Sequence, residues 1–267
     1  MEIKGTVFIL CVMLFITGCE ELTDRAPRAA DPNLLVVEGL LTNERINHLI
    51  RLSLPYAEQN QPPLAASGAT VRLQGGSNVV TLTEFPAGSG NYYTPKFRAV
   101  TGTRYTLLIL YRGKQYTAAD ESVPVEPLAP LRYRQTDRGY TLLHNSTGQD
   151  PNYINYDLTW KHTDRCDPKK GCEARVTFYD LKTIDVNEIF KPEAETLHFP
   201  LRTIVVRKKY SVSPAYRSFL RSVMSETAWR GGIFDVQRAN PPTNLAGGAM
   251  GFFAVSTVVS DTTVIVR

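Results

Sequence analysis

Short apolar and β-branched stretches recur along most of this chain, and turn residues separate them. Stretches rich in Val, Ile, Leu, Thr and Tyr lie at 34–41, 48–54, 69–74, 79–83, 104–111 and 115–119. Between them stand Gly75-Gly76, Gly88-Ser89-Gly90, Gly102 and Arg112-Gly113-Lys114. Short strands with such punctuation predict an all-β sandwich. Pro124, Pro127 and Pro130 end this unit, because proline fixes φ and donates no ladder hydrogen bond. The predicted boundary falls at 127, giving a sandwich over 33–127 and a second β-rich domain over 128–267.

In the second segment, strands are predicted at 131–135, 140–144, 153–160, 174–179 and 201–207. Ile154, Tyr156, Leu158 and Trp160 occupy one face of their strand, with Asn155, Asp157 and Thr159 on the other. That period of two predicts one buried and one wet face. One helix is predicted, near 214–229. Ser213 suits the N-cap and Pro214 the first helical position, and Gly231-Gly232 suits the stop. Tyr216, Phe219, Leu220, Val223 and Met224 recur at helical spacing and read as a core stripe. Residues 240–251 read as one long loop, of the kind that can contact a ligand. Residues 252–259 and 262–266 read as a final antiparallel pair around Ser260-Asp261. The expected fold class is mainly β: an Ig-like or transthyretin-like sandwich, then a β-rich domain with one helix.

The N-terminal end obeys a different pattern. Lys4 precedes an unbroken apolar run from Val7 to Ile16, ten residues long. A bilayer-spanning helix needs about 20 apolar residues, so the run is too short to span. Positive start, short apolar core and small residues describe a secretory signal over 1–18. Ile16-Thr17-Gly18-Cys19 resembles the bacterial lipobox, which would make Cys19 the acylated first residue of the mature chain. Stable anchoring needs more than one acyl chain, and a triacylated Cys19 would meet that need. Residues 19–32 then form a polar tether. Their Glu20, Glu21 and Asp24 resemble the surface-export signal of Bacteroidetes lipoproteins.

Two cysteines remain, Cys166 and Cys172, in a turn-rich loop between two predicted strands. Outside the inner membrane such a pair is expected to form a disulfide. Closing so small a loop adds about 2–2.5 kcal/mol on the chain-entropy model. A metal centre would need two further ligands, and only His162 is near in sequence.

Net charge is +4 over 267 residues, too dilute for a nucleic-acid-binding face. No HExxH, GxSxG or phosphate-loop pattern is present. His48, His144, His162 and His198 are scattered. Glu188, Glu193 and Glu195 offer carboxylates with no spacing that marks a hydrolase. Arg207-Lys208-Lys209 reads as a solvated strand end. Tyr92-Tyr93 and Tyr153/Tyr156 read either as sugar-stacking platforms or as core. No catalytic, cofactor-binding or metal residue is assigned.

Several local patterns together resemble a large group of Bacteroidetes outer-membrane lipoproteins known as a domain of unknown function, number 4249. They are Leu35-Val36-Val37-Glu38-Gly39 with Leu41-Thr42-Asn43, Ser67-Gly68-Ala69-Thr70-Val71, and Gly90-Asn91-Tyr92-Tyr93. Gly232-Ile233-Phe234-Asp235, Pro242-Thr243-Asn244-Leu245, Gly248 and Gly251-Phe252-Phe253 complete the set. Asp261-Thr262-Thr263 also resembles the phylum's O-glycosylation triplet. The resemblance implies an outer-membrane, lipid-anchored, surface-exposed protein without enzymatic activity or cofactor. By association it implies a ligand-binding or accessory partner of a TonB-dependent transporter in nutrient uptake. A structural or adhesive surface lipoprotein and a surface hydrolase are the alternatives.

Overall fold

A computed structural model describes residues 31, 33–56, 61–144, 148–169, 171–181, 196–227 and 241–267. The expected leader over 1–18, Cys19, the acidic residues after it, Glu188, Glu193, Glu195 and residues 228–240 lie outside the described residues.

Among the described residues, the first half of the chain forms eight strands. They are β1 (Val36–Thr42), β2 (Leu49–Ser53), β3 (Thr70–Gly75), β4 (Asn78–Thr81), β5 (Thr83–Glu84), β6 (Asn91–Tyr93), β7 (Arg104–Tyr111) and β8 (Lys114–Glu121). Alternation explains them well. Along β7, Tyr105, Leu107, Ile109 and Tyr111 are buried, and along β8, Tyr116, Ala118 and Asp120. The two strands meet through Arg112 (φ 48°) and Gly113 (φ 76°), a two-residue hairpin with both central residues left-handed. The second half adds β9 (Tyr133–Thr136), β10 (Gly139–Leu142), β11 (Asn152–Thr159), β12 (Glu173–Asp180) and β13 (Ile204–Ser211). Helix α1 (Pro214–Thr227), β14 (Leu245–Ala246), β15 (Met250–Ser256) and β16 (Val258–Val264) follow.

Two five-stranded sheets carry the larger core. Their orders are β15-β1-β2-β6-β5 and β14-β8-β7-β3-β4. The core joins Val37, Leu41, Ile50 and Leu52 to Val71, Leu107 and Ile109, and also to Leu245, Phe253 and Val255. Here the expected boundary at 127 needs correction. Strands β14 and β15 come from the segment assigned to the second domain, yet each completes one sheet of the sandwich. β15 pairs in parallel with β1 and β14 pairs antiparallel with β8. Without them β1 and β8 would be bare edges, and the first core would lose the buried side chains of Leu245, Phe253 and Val255. All described residues beyond 32 form one compact unit.

The tail also differs from expectation. β15 and β16 do not form a hairpin with each other. The chain leaves the sandwich after Ser256, and β16 pairs antiparallel with β13 in a third sheet, ordered β12-β11-β13-β16. The break at Thr257 is held by buried hydroxyls. Thr257 Oγ1 shares hydrogen bonds with Thr101 Oγ1 at 2.9 Å and Ser122 Oγ at 3.0 Å, and its N–H donates to Ser211 Oγ at 2.8 Å.

The third sheet buries both faces in part. Ile154, Tyr156, Leu158, Val176 and Phe178 pack against the β9–β10 hairpin through Tyr133, Tyr140 and Leu142. The opposite face was expected to be wet, but Tyr153 and Tyr210 lie there beneath α1, packed with Leu220, Tyr216, Phe219 and Met224. The helical stripe is therefore core, as its spacing predicted. Ser213 caps the helix, its Oγ accepting the Tyr216 N–H at 3.1 Å.

Candidate functional site

The clearest anomaly in the molecule is a pair of buried cations. Arg207 and Lys209 are 4% and 7% exposed, in the middle of β13. The sequence reading placed them at a solvated strand end and ended the strand at 207. The strand instead begins three residues later than predicted and runs to Ser211. Residues two apart on a strand share a face, so Arg207 and Lys209 both point toward the β9–β10 side. In register with β11, Arg207 lies opposite Tyr156 and Lys209 opposite Ile154.

Arg207 is held by a bidentate ion pair with Asp261. Its Nε donates to Asp261 Oδ1 at 2.8 Å and a second guanidinium nitrogen donates to Oδ2. Such bidentate pairs are the strong kind. Burial works against the Arg207 charge, but the hydrogen bond and charge of Asp261 outweigh it and raise its pKa. Burial also raises the pKa of the Tyr156 hydroxyl, against the lowering effect of the Arg207 charge and hydrogen bond. Asp261 of the possible glycosylation triplet is thus half of a structural ion pair.

Lys209 is held differently. Glu126 Oε2 lies 3.8 Å from its ammonium, too far for a hydrogen bond. Both cations line a partly open cavity of about 80 Å³, with Ile154, Tyr156, His144 and Asp180 in its wall. His144 stacks on Phe178, centroids 4.3 Å apart at 6°, and its Nδ1 lies 3.3 Å from the Tyr156 hydroxyl.

The other sequence candidates do not converge. His48 is buried, with Nε2 3.1 Å from the Phe97 carbonyl; burial lowers its pKa despite that bond and the nearby Glu44. His162 Nε2 lies 3.0 Å from the Arg202 carbonyl, and His198 Nδ1 lies 3.3 Å from Thr136 Oγ1. Among the described residues, no group of three or more His, Cys, Asp or Glu could hold a metal ion. No described helix is long and apolar enough to cross a membrane. Cys166 and Cys172 form a disulfide with Cα atoms 5.2 Å apart. The bridge sits at the tip of the β11–β12 hairpin, where the Trp160 N–H also donates to the Cys172 carbonyl at 2.9 Å. Tyr92, Tyr153 and Tyr156 are buried, so none is a sugar platform.

The loose sequence patterns singled out above have structural work. Tyr92 Oη accepts the Ala69 N–H at 2.8 Å and donates to the Ala66 carbonyl at 3.1 Å. Glu84 ties the same two segments. Its Oε1 accepts the Gly90 N–H at 2.8 Å; its Oε2 accepts the Ser67 hydroxyl at 3.0 Å and the Gly68 N–H at 3.2 Å. Burial pushes the Glu84 carboxyl upward, but these donors outweigh it and hold its pKa below the ordinary value. Gly251 lies opposite Val37, and a Cβ there would stand 2.0 Å from the Val37 carbonyl oxygen. Asn244 Nδ2 donates to the Phe253 carbonyl at 2.7 Å and the Ala119 carbonyl at 3.0 Å, while its Oδ1 accepts the Phe253 N–H at 3.1 Å. The loop expected to contact a ligand is thus occupied in closing the sandwich. These patterns identify a fold, not a chemistry.

No curated protein matches the chain. A family model described as Domain of unknown function (DUF4249) matches residues 20–262, most of the sequence. The protein therefore belongs to that family, which its strand-closing asparagine, glycine and tyrosine positions had pointed to.

Proposed function

We propose that the protein is a lipid-anchored lipoprotein of the Bacteroidetes outer membrane that acts as a non-enzymatic binding accessory to a TonB-dependent transporter. One observation carries this reading: Thr17-Gly18-Cys19 directly follows a ten-residue apolar run that ends in Ile16. The run is too short to span, and thioether and amide acylation at Cys19 would anchor the folded body by its tail. Family membership and the small partly open cavity beside Lys209 are consistent with a carrier or adaptor role.

Two measurements test it. The Cys19→Ser variant should move from the membrane to the soluble fraction, and unchanged partition removes the anchor. Native pull-down through a C-terminal tag, in gentle detergent, should bring a TonB-dependent receptor with the wild-type chain. Recovery of the lipoprotein alone argues for a structural or adhesive role instead.

A further inference from the structure

We propose that the cavity beside Lys209 binds an oxyanion, a carboxylate or phosphate group of a small molecule, with the Lys209 ammonium as its counter-charge. The inference is independent of the anchor and of any transporter.

An ammonium carries three donors and no acceptor. Among the described residues that of Lys209 makes no hydrogen bond, although the side chain is buried; its one ion-pair contact is Glu126 at 3.8 Å. Isolated buried charge is costly, so buried cations are ordinarily paired and hydrogen-bonded. No fully buried side-chain nitrogen or oxygen among the described residues lacks a hydrogen bond. The Lys209 nitrogen is therefore not fully buried, and Lys209 lines the cavity.

Glu126 is not placed to close the gap. Its Oε1 accepts the Gln149 N–H at 3.1 Å. Its other oxygen lies only 1.9 Å from where a Cβ on residue 148 would be, so the carboxylate lies tight against Gly148. Arg207 is not the receptor either, since Asp261 occupies it. Its role, with Tyr156, is to form a polar wall next to the Lys209 ammonium.

A volume of about 80 Å³ exceeds what one water needs and accommodates a group of several atoms. Ile154 and the apolar segment at Leu128 and Pro130 exclude solvent from part of the wall, which strengthens the charge interaction. Asp180 lines the same cavity, and with Glu126 it limits how much negative charge the site accepts. A group bearing a single charge fits this balance better than a multiply charged one.

The test is calorimetric titration of the full chain in detergent with sodium acetate and, separately, with inorganic phosphate, each against a sodium chloride control of equal ionic strength. Saturable binding of either anion above the control supports the site, and the tighter of the two identifies the ligand group. Lys209→Met should weaken that binding about thirtyfold or more, the size expected when one member of a buried charge pair is removed. Glu126→Gln should tighten it several-fold, because the competing carboxylate is gone. Absence of saturable binding overturns the proposal, as does unchanged affinity in Lys209→Met. Should that variant not fold, Glu126→Gln decides: unchanged or weaker affinity overturns the site.

Discussion

Asn43 grips Val258 across 215 positions of sequence. Its Nδ2 donates to the Val258 carbonyl at 3.2 Å, and its Oδ1 accepts the Val258 N–H at 2.7 Å. The side-chain amide thus imitates a strand neighbour at the point where the chain leaves one sheet for another. Asn244 grips Phe253 in the same manner, five residues earlier in β15–β16. The two asparagines bracket the segment that joins the sandwich to the third sheet.

Removing either grip should loosen that junction. Asn43→Ala leaves a backbone donor and acceptor without partners and should cost about 1–3 kcal/mol. Asn43→Asp keeps the acceptor but sets a carboxylate against the Val258 carbonyl, so it too should destabilise. Asn244→Ala breaks three bonds and should cost at least as much as Asn43→Ala. Urea midpoints measure all three; a midpoint unchanged in Asn244→Ala contradicts the role given to it.

Gly251 has φ 96° and faces the Val37 carbonyl across the parallel β1–β15 pair. Gly251→Ala adds both left-handed strain and a clash with immovable backbone, and should cost more than about 3 kcal/mol. Gly76, with φ 60°, has open space around a would-be Cβ. Gly76→Ala should therefore cost only about 1–2 kcal/mol, the left-handed penalty alone. Equal losses in the two variants, measured by thermal or urea unfolding, would remove the case for the close approach.

Asp120 is a buried acid facing β15. Burial raises its carboxyl above the ordinary value of 3.8, despite hydrogen bonds from the Val255 N–H and the Ser213 hydroxyl. In the native state it therefore holds a proton that the unfolded chain has released. Native stability due to this group is greatest below the unfolded value, falls as pH rises through the raised value, and is level above it. Asp120→Asn keeps an acceptor for Val255 and cannot titrate. Urea midpoints measured from pH 3.5 to 7 should show a downward component in the wild type that the variant lacks. Parallel profiles for the two would contradict it.

The Cys166–Cys172 bridge closes a short loop at a hairpin already held by eight cross-strand pairs from Asn152↔Asp180 to Thr159↔Glu173. Replacing both cysteines with serine should lower stability by about 2–2.5 kcal/mol while leaving the fold intact. The same shift should follow reduction of the wild-type chain. Loss of the native circular dichroism spectrum in the double variant would show that the bridge specifies the hairpin, not only stabilises it.

Local pattern determined a good deal. Period-two alternation marked β11 and β12 and assigned Ile154, Tyr156 and Leu158 to one buried face. Ser213-Pro214 and the apolar stripe beyond it marked α1, and two cysteines between alternating runs marked a hairpin tip. Each of these signals is short-range, because side-chain periodicity and capping act over a few residues. The tertiary structure decided what each strand pairs with. Apolar content says that β15 has buried side chains, but not that β1, more than 200 residues earlier, is its neighbour. It shows no break at Thr257, because that break is stabilised by hydroxyls of Thr101, Ser122 and Ser211 drawn from distant parts of the chain. The same limit hid the cavity. Arg207 and Lys209 read as solvated charges until Asp261, Glu126 and the β9–β10 hairpin are brought against them, and only then does their burial become tolerable.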